Sequence, residues 1–284
     1  MSGIPPVRRR LVGAALRRYR EGLGYGLEDA ARILECDRSK ISRIETGHRG
    51  IRGKELRELL TEYGVGGEEQ DALAAVAHQG REQGWWQEYG DVLSGAAEDF
   101  VIMEAAAAEI LCYEPHRVPA LLQTRAYARA VADADPVLSD DARREQAVEV
   151  TLARQRIVLK ERHPRLEVLL GEGALHQAVG GPAVMRTQLA RLATAADRGP
   201  DAGVTLRVLP FAAGAHAAAG CGMAVLRFAG APGIGVIHLD ALSGGVSLDG
   251  PEELDRYLRA FAQLRLAALA PAASARLLRE MARD

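Results

Sequence analysis

Within the first 64 residues, apolar side chains recur at helical spacing in short separate blocks, with glycines at the breaks between them. Val12, Ala15, Leu16 and Tyr19 stand at i, i+3, i+4 and i+7, the spacing of one buried helix face. Leu27, Ala30, Ala31 and Leu34 repeat the pattern, as do Leu56, Leu59, Leu60 and Tyr63. Ile41 and Ile44 mark a shorter helix between them, with Asp37 as its N-cap. Gly22, Gly24 and Gly26 separate the first helix from the second, and Gly47 and Gly50 close the third. Such short helices with tight breaks can bury their stripes only against one another. The expectation is a compact all-α domain.

Charge divides the chain in the same place. The formal net charge is −2. Residues 1–64 carry 14 basic and 9 acidic side chains, a balance of +5, and the remainder carries −7. A basic head on an acidic body points to nucleic acid or a membrane surface as the head's partner. No run approaches the ~18 apolar residues of a membrane span, and the first residues lack the apolar core of a secretory signal. Cys36, Cys112 and Cys221 form no CxxC pair, so neither a disulfide framework nor a structural zinc site is expected, and a cytoplasmic location is.

Residues 67–84 read as a polar helical connector with Leu73, Val76 and Ala77 as its buried edge. A larger domain follows over 85–284, long enough for its own core. Its first half reads as helical over 99–112, 120–132 and 140–162. The second half has strand-like runs at 166–170, 204–210, 223–228 and 236–242, a helix at 182–196, and terminal helices at 252–269 and 272–282. The fold class expected is α+β: an all-α head over 1–66, the connector, and an α/β domain over 85–284.

Residues 27–47 read LEDAARILECDRSKISRIETG. The segment resembles the helix-turn-helix of the Xre-type, phage-repressor-like family, with Ala31 where the two helices cross and Ile41 and Ile44 on the inner face of the recognition helix. A lambda-repressor-like head is what that resemblance implies. A major groove admits one α-helix, whose N-terminal side chains reach base edges. By resemblance Arg38, Ser39 and Arg43 are base readers, and Lys40, Arg49 and Arg52 are phosphate contacts. The same resemblance places Glu45 opposite Arg20 in a structural ion pair. Two positions depart from the family's habit: Glu35 stands where the turn usually has Gly, and Gly26 where the second helix usually begins with Ser or Thr.

WWQEYGDVL (85–93), EPHRVPALLQTRAYARAV (114–131), GEGALHQAVGGPAVMRTQL (171–189) and VLPFAAGAHAAAGCGMAVLRF (208–228) extend the likeness. They resemble the large C-terminal domain of antitoxin-like transcriptional regulators of high-GC (actinobacterial) bacteria. Ala120, Gly171 and His238 depart from that pattern, where Gly, an acidic residue and an aromatic are commoner. The resemblance implies double-stranded DNA as one partner, a small partner protein or small-molecule effector as another, and a homodimer.

His176, His216 and His238, with Glu172 and Asp240, are the candidates for acid–base or metal chemistry in the second domain. Their spacing matches no HExxH or GxSxG motif, so no catalytic residue, metal or cofactor is expected. Trp85 and Trp86 are expected to seal the domain junction. The leading expectation is a sequence-specific transcriptional regulator. The alternatives are a protein-binding adaptor with secondary DNA contact, or an enzyme whose second domain acquired a pocket. A deep polar cavity around His216 or His238 would favour the last.

Overall fold

A computed structural model describes residues 5–78, 85–93, 95–199, 203–229, 233–241 and 245–283. The head is built from α1 (Val7–Gly22), α2 (Leu27–Ile33), α3 (Arg38–Glu45) and α4 (Gly53–Glu62). Leu11, Leu16, Ile41, Ile44, Leu56, Leu59 and Leu60 are buried at their centre. Gly13 explains how α1 lies so close to α3: a Cβ there would sit 2.4 Å from the Ile44 carbonyl oxygen. The turn after α2 closes with Cys36 N–H donating to Ala31 O (2.9 Å) and Glu35 N–H donating to Arg32 O (3.2 Å). That Schellman pattern demands a left-handed residue, and Glu35 adopts it with φ 46°. Gly26 is extended, and its N–H donates to Asp29 Oδ2 at 2.6 Å, so the cap runs from the third helical residue backwards.

α5 (Gly67–His78) packs on α1 and α4, with Leu73 and Val76 buried in the same core. Residues 79–84, the end of the expected connector, lie outside the described residues, as do 230–232 and 242–244.

The second domain is a mixed α/β layer structure. Six strands, among the described residues, run in the order β3-β2-β1-β4-β5-β6. They are β1 (Glu109–Glu114), β2 (Arg165–Gly171), β3 (Val204–Leu209), β4 (Met223–Arg227), β5 (Gly235–Leu239) and β6 (Val246–Leu248). β1, β2 and β3 are parallel, and β4, β5 and β6 continue the sheet antiparallel from β1. One face packs under α6 (Ala96–Ala106), α10 (Pro182–Arg198) and α12 (Pro271–Met281). α11 (Pro251–Ala267) covers the other, with Leu254, Phe261 and Leu264 against Leu111, Leu169 and Ile237. α7 (Arg125–Asp133), α8 (Asp141–Gln155) and α9 (Gly173–His176) complete the set, and a π-helical turn, Arg156–Arg162, extends α8.

The expected helix over 99–112 ends at Ala106, and Glu109–Glu114 is the central strand instead. Its residues are buried on both faces, so the sequence shows an unbroken apolar run rather than alternation, and such a run does not separate strand from helix. Trp85 and Trp86 also differ from expectation. They pack beside Val101 and Val150, within the second domain, rather than at the junction with the head.

The head docks on this domain through α1. Val7 N–H donates to Asp99 Oδ2 (3.2 Å), Arg10 pairs with Asp249 (3.1 Å) and donates to the Ser247 carbonyl (3.2 Å), and Arg18 donates to the Gly233 carbonyl (3.3 Å).

Candidate nucleic-acid interface and ligand cavity

The helical period sorts α3. Ile41 and Ile44 turn into the core, which leaves Arg38, Ser39 and Arg43 exposed on the outer side. Arg43 Nε donates to the Ser39 carbonyl at 3.2 Å. Arg38 donates to Glu28 Oε1 at 3.0 Å across the exposed turn. Arg49 and Arg52 are exposed beyond the end of α3. Lys40 is placed differently: its ammonium donates to Glu55 Oε1 at 2.8 Å, and its side chain is only 18% exposed. A phosphate contact through Lys40 requires that pair to open. Arg8 and Arg9, which the helix-turn-helix pattern does not single out, join Arg49 around a shallow cleft.

Arg20 and Glu45 meet below α3. The guanidinium donates to both carboxylate oxygens at 2.7 and 2.8 Å, and to the Tyr25 carbonyl at 2.7 Å. Both side chains are buried, so the pair joins α1 to the recognition helix out of water's reach.

A second feature lies in the α/β domain: a cavity of about 240 Å³ between the sheet and α6. Sheet register builds its floor, where Val168, Cys112, Ala224 and His238 stand side by side across β2, β1, β4 and β5. Ala224 is the small member of this row, and the space above it stays open. Phe100 on α6 stacks on His238 with centroids 4.1 Å apart, and the Arg154 guanidinium lies 5.5 Å from the Phe100 centroid. Buried Glu104 accepts from Arg154 through both oxygens at 2.8 and 2.9 Å. Ala120 is held at the rim by Gln155 Nε2, which donates to its carbonyl at 2.7 Å.

The remaining charges gather at the mouth. Arg117 pairs with Asp240, both about half exposed, and His238 Nε2 lies 3.5 Å from Asp240 Oδ1. Burial pushes Asp240 up, but the hydrogen bond with His238 and the charges of Arg117 and Arg154 outweigh it, and its pKa falls to about 2. Glu114 Oε2 lies 3.6 Å from Arg117 Nε, and its carboxyl also neighbours that of Asp240. Burial pushes its pKa up to about 7, against the pull of Arg117 and with a push from Asp240. Burial likewise drives the Cys112 thiol well above its usual range, so it stays neutral and non-nucleophilic.

His216 and Glu172 line a smaller cavity of about 160 Å³ at the C-terminal ends of β1, β2 and β3. His216 Nε2 lies 3.3 Å from the Tyr113 hydroxyl, and His176 lies 3.6 Å from Glu172. The histidine candidates are therefore divided between two sites. Gly171 borders the second, where a Cβ would stand 2.6 Å from the Pro115 carbonyl oxygen, so no larger residue fits this backbone. Ala120, Gly171 and His238, the three positions at which the second domain departs from the pattern it resembles, all line these two cavities. No cluster of His, Cys, Asp and Glu suited to a metal ion occurs among the described residues, and none of their helices is long and apolar enough to cross a membrane.

A line of polar contacts leads from the larger cavity to the head. His238 Nδ1 lies 3.1 Å from Ser247 Oγ, the Ser247 carbonyl accepts from Arg10, and Arg10 packs against Gly47 just past α3.

Residues 97–280 match the family described as a domain of unknown function, DUF5753, and residues 11–73 match a helix-turn-helix domain. No curated protein and no solved structure matches the chain.

Proposed function

The chain belongs to the DUF5753 family, with a helix-turn-helix domain at its N-terminus, and on that premise we propose that it is a sequence-specific transcriptional regulator of the Xre-type, antitoxin-like kind. The observation that carries this reading is the outward face of α3, where Arg38, Ser39 and Arg43 stand free of the core within the helix-turn-helix match. In this reading those three residues read bases, Arg49 and Arg52 hold phosphates, and Lys40 joins them only when Glu55 releases it. The head spans 1–66, the connector 67–84, and the domain over 85–284 oligomerises and binds a small effector or partner protein. A single head of this size gains affinity by pairing, so the working form is a cytoplasmic homodimer on half-sites about one helical turn apart. No catalytic step belongs to this reading.

The test is a mobility-shift titration on the protein's own promoter with wild type and Arg43→Ala. Loss of one forked Arg–guanine contact, about 1–3 kcal/mol, should cost about 5- to 150-fold in affinity and relax preference at one base pair. Equal affinity and equal preference in the variant would overturn the assignment.

The polar cavity around His238 supports an enzyme as the second reading. Its chemistry favours binding over catalysis: Glu104 and Arg154 are closed on each other, Asp240 is held by Arg117, and the Cys112 thiol is kept neutral. The path through Ser247 and Arg10 to α3 gives a bound ligand a way to bias the head.

A further inference from the structure

We propose that the cavity between α6 and the sheet binds a small organic cation, an ammonium or amidinium on a compact apolar body, with Glu114 as its counter-charge. This rests on the reading of the second domain as an effector domain and names the effector's chemical class. Three carboxylates, two guanidiniums and one imidazole line the space. Glu104 is matched by Arg154 in a two-pronged pair, and Asp240 by Arg117 with His238 beside it. Glu114 has only a share of Arg117, with the Asp240 carboxyl beside it, so three carboxylates divide two guanidiniums. Its side chain is 12% exposed, and the guanidinium nearest to it already serves Asp240.

A carboxylate in that position is costly to ionise unless a cation arrives. Burial foremost raises its pKa to about 7, by more than the charge of Arg117 offsets. An incoming anion meets the opposite situation, since both guanidiniums are engaged by carboxylates and Glu114 and Asp240 repel it at the mouth. The rest of the lining suits an apolar body. Ile110, Leu121, Val168 and Met223 surround the Phe100–His238 stack, and Ala224 leaves the floor clear. Only a compact molecule fits about 240 Å³.

The experiment is thermal unfolding of the full chain, without DNA, in the presence of phenethylamine, hydrocinnamate or phenethyl alcohol. These probes share a ring and a short chain and differ in the charge of the end group. Phenethylamine near saturation is expected to raise Tm by about 2–4 °C, and the other two to leave it unchanged. Glu114→Gln removes the counter-charge and Ala224→Leu fills the floor, and each should abolish the shift. Should one variant fail to fold, the other still decides. The proposal is overturned if the acid or the alcohol stabilises as well as the amine, if none of the three stabilises, or if the amine's shift survives in a folded variant. With no DNA present, such a failure leaves the reading of α3 untouched, and failure of the Arg43→Ala titration leaves the cavity's preference untouched.

Discussion

Arg20 and Glu45 form a two-pronged ion pair beneath the recognition helix, with both side chains under 10% exposed. The pair fixes the angle at which α3 leaves the head, and its members are far more costly apart than together. Glu45→Ala leaves a buried guanidinium without its partner and is expected to cost about 3–5 kcal/mol. The double change Arg20→Met, Glu45→Leu, which removes both charges and keeps the volume, should cost much less than either single change. Urea denaturation of the four proteins checks this. Strictly additive losses in the double variant would refute the coupling.

Glu35 occupies the left-handed position that closes α2, with φ 46° and its side chain exposed. A side chain in that region costs on the order of 1 kcal/mol, and glycine relieves the strain while losing part of the gain to chain entropy. Glu35→Gly should therefore stabilise the protein by about 0.5 kcal/mol and raise the unfolding midpoint. A lower midpoint would show that the carboxylate contributes something the turn geometry does not reveal.

Lys40, Arg49 and Arg52 carry the same charge but stand in different surroundings. A free phosphate contact contributes about one unit to the slope of log affinity against log salt. Arg49→Gln and Arg52→Gln should each flatten the slope by about that amount. Lys40→Gln should flatten it less and lower stability more, because it breaks the part-buried pair with Glu55. Fluorescence anisotropy across a salt series measures both. An equal flattening from Lys40→Gln would mean that Glu55 gives the lysine up to DNA.

The head was legible because period, breaks and caps agree there. Each apolar stripe is local, and Gly47 or Gly24 stands where a helix must turn. Gly13 stands out as a glycine inside an otherwise regular helix, though what it admits, the Ile44 backbone, is set by tertiary packing. β1 is not legible as a strand because burial on both faces erases alternation. The cavity was the least legible part. Its floor is a row across four strands, and its buried ion pair joins Glu104 to a residue 50 positions away, so neither leaves a local pattern. His238 and Asp240 were visible as i, i+2 neighbours, but Glu114 and Arg154 become candidates only once the sheet register is known.

Glu114 should leave a pH signature in stability. Its pKa rises from an ordinary 4.5 to about 7 on folding, through burial foremost. The native state therefore holds the proton more tightly than the unfolded chain. The resulting stabilisation is complete below about pH 4.5 and is lost as pH rises through 7. The groups facing it are Arg117 and Cys112 from its own segment, Asp240 and His238 from β5 and beyond, Glu104 from α6 and Arg154 from α8. Asp240 has the opposite sign and a separate window, its contribution being lost only as pH falls from about 3.8 to about 2. The comparison is between proteins that differ at Glu114 alone. Glu114→Gln is expected to equal wild type near pH 4 and to exceed it by up to about 3 kcal/mol at pH 8. Denaturant midpoints of the two proteins across that range measure the difference. A gap that does not change with pH would mean that Glu114 is ionised throughout, with a cation of the protein's own already supplying what the cavity lacks.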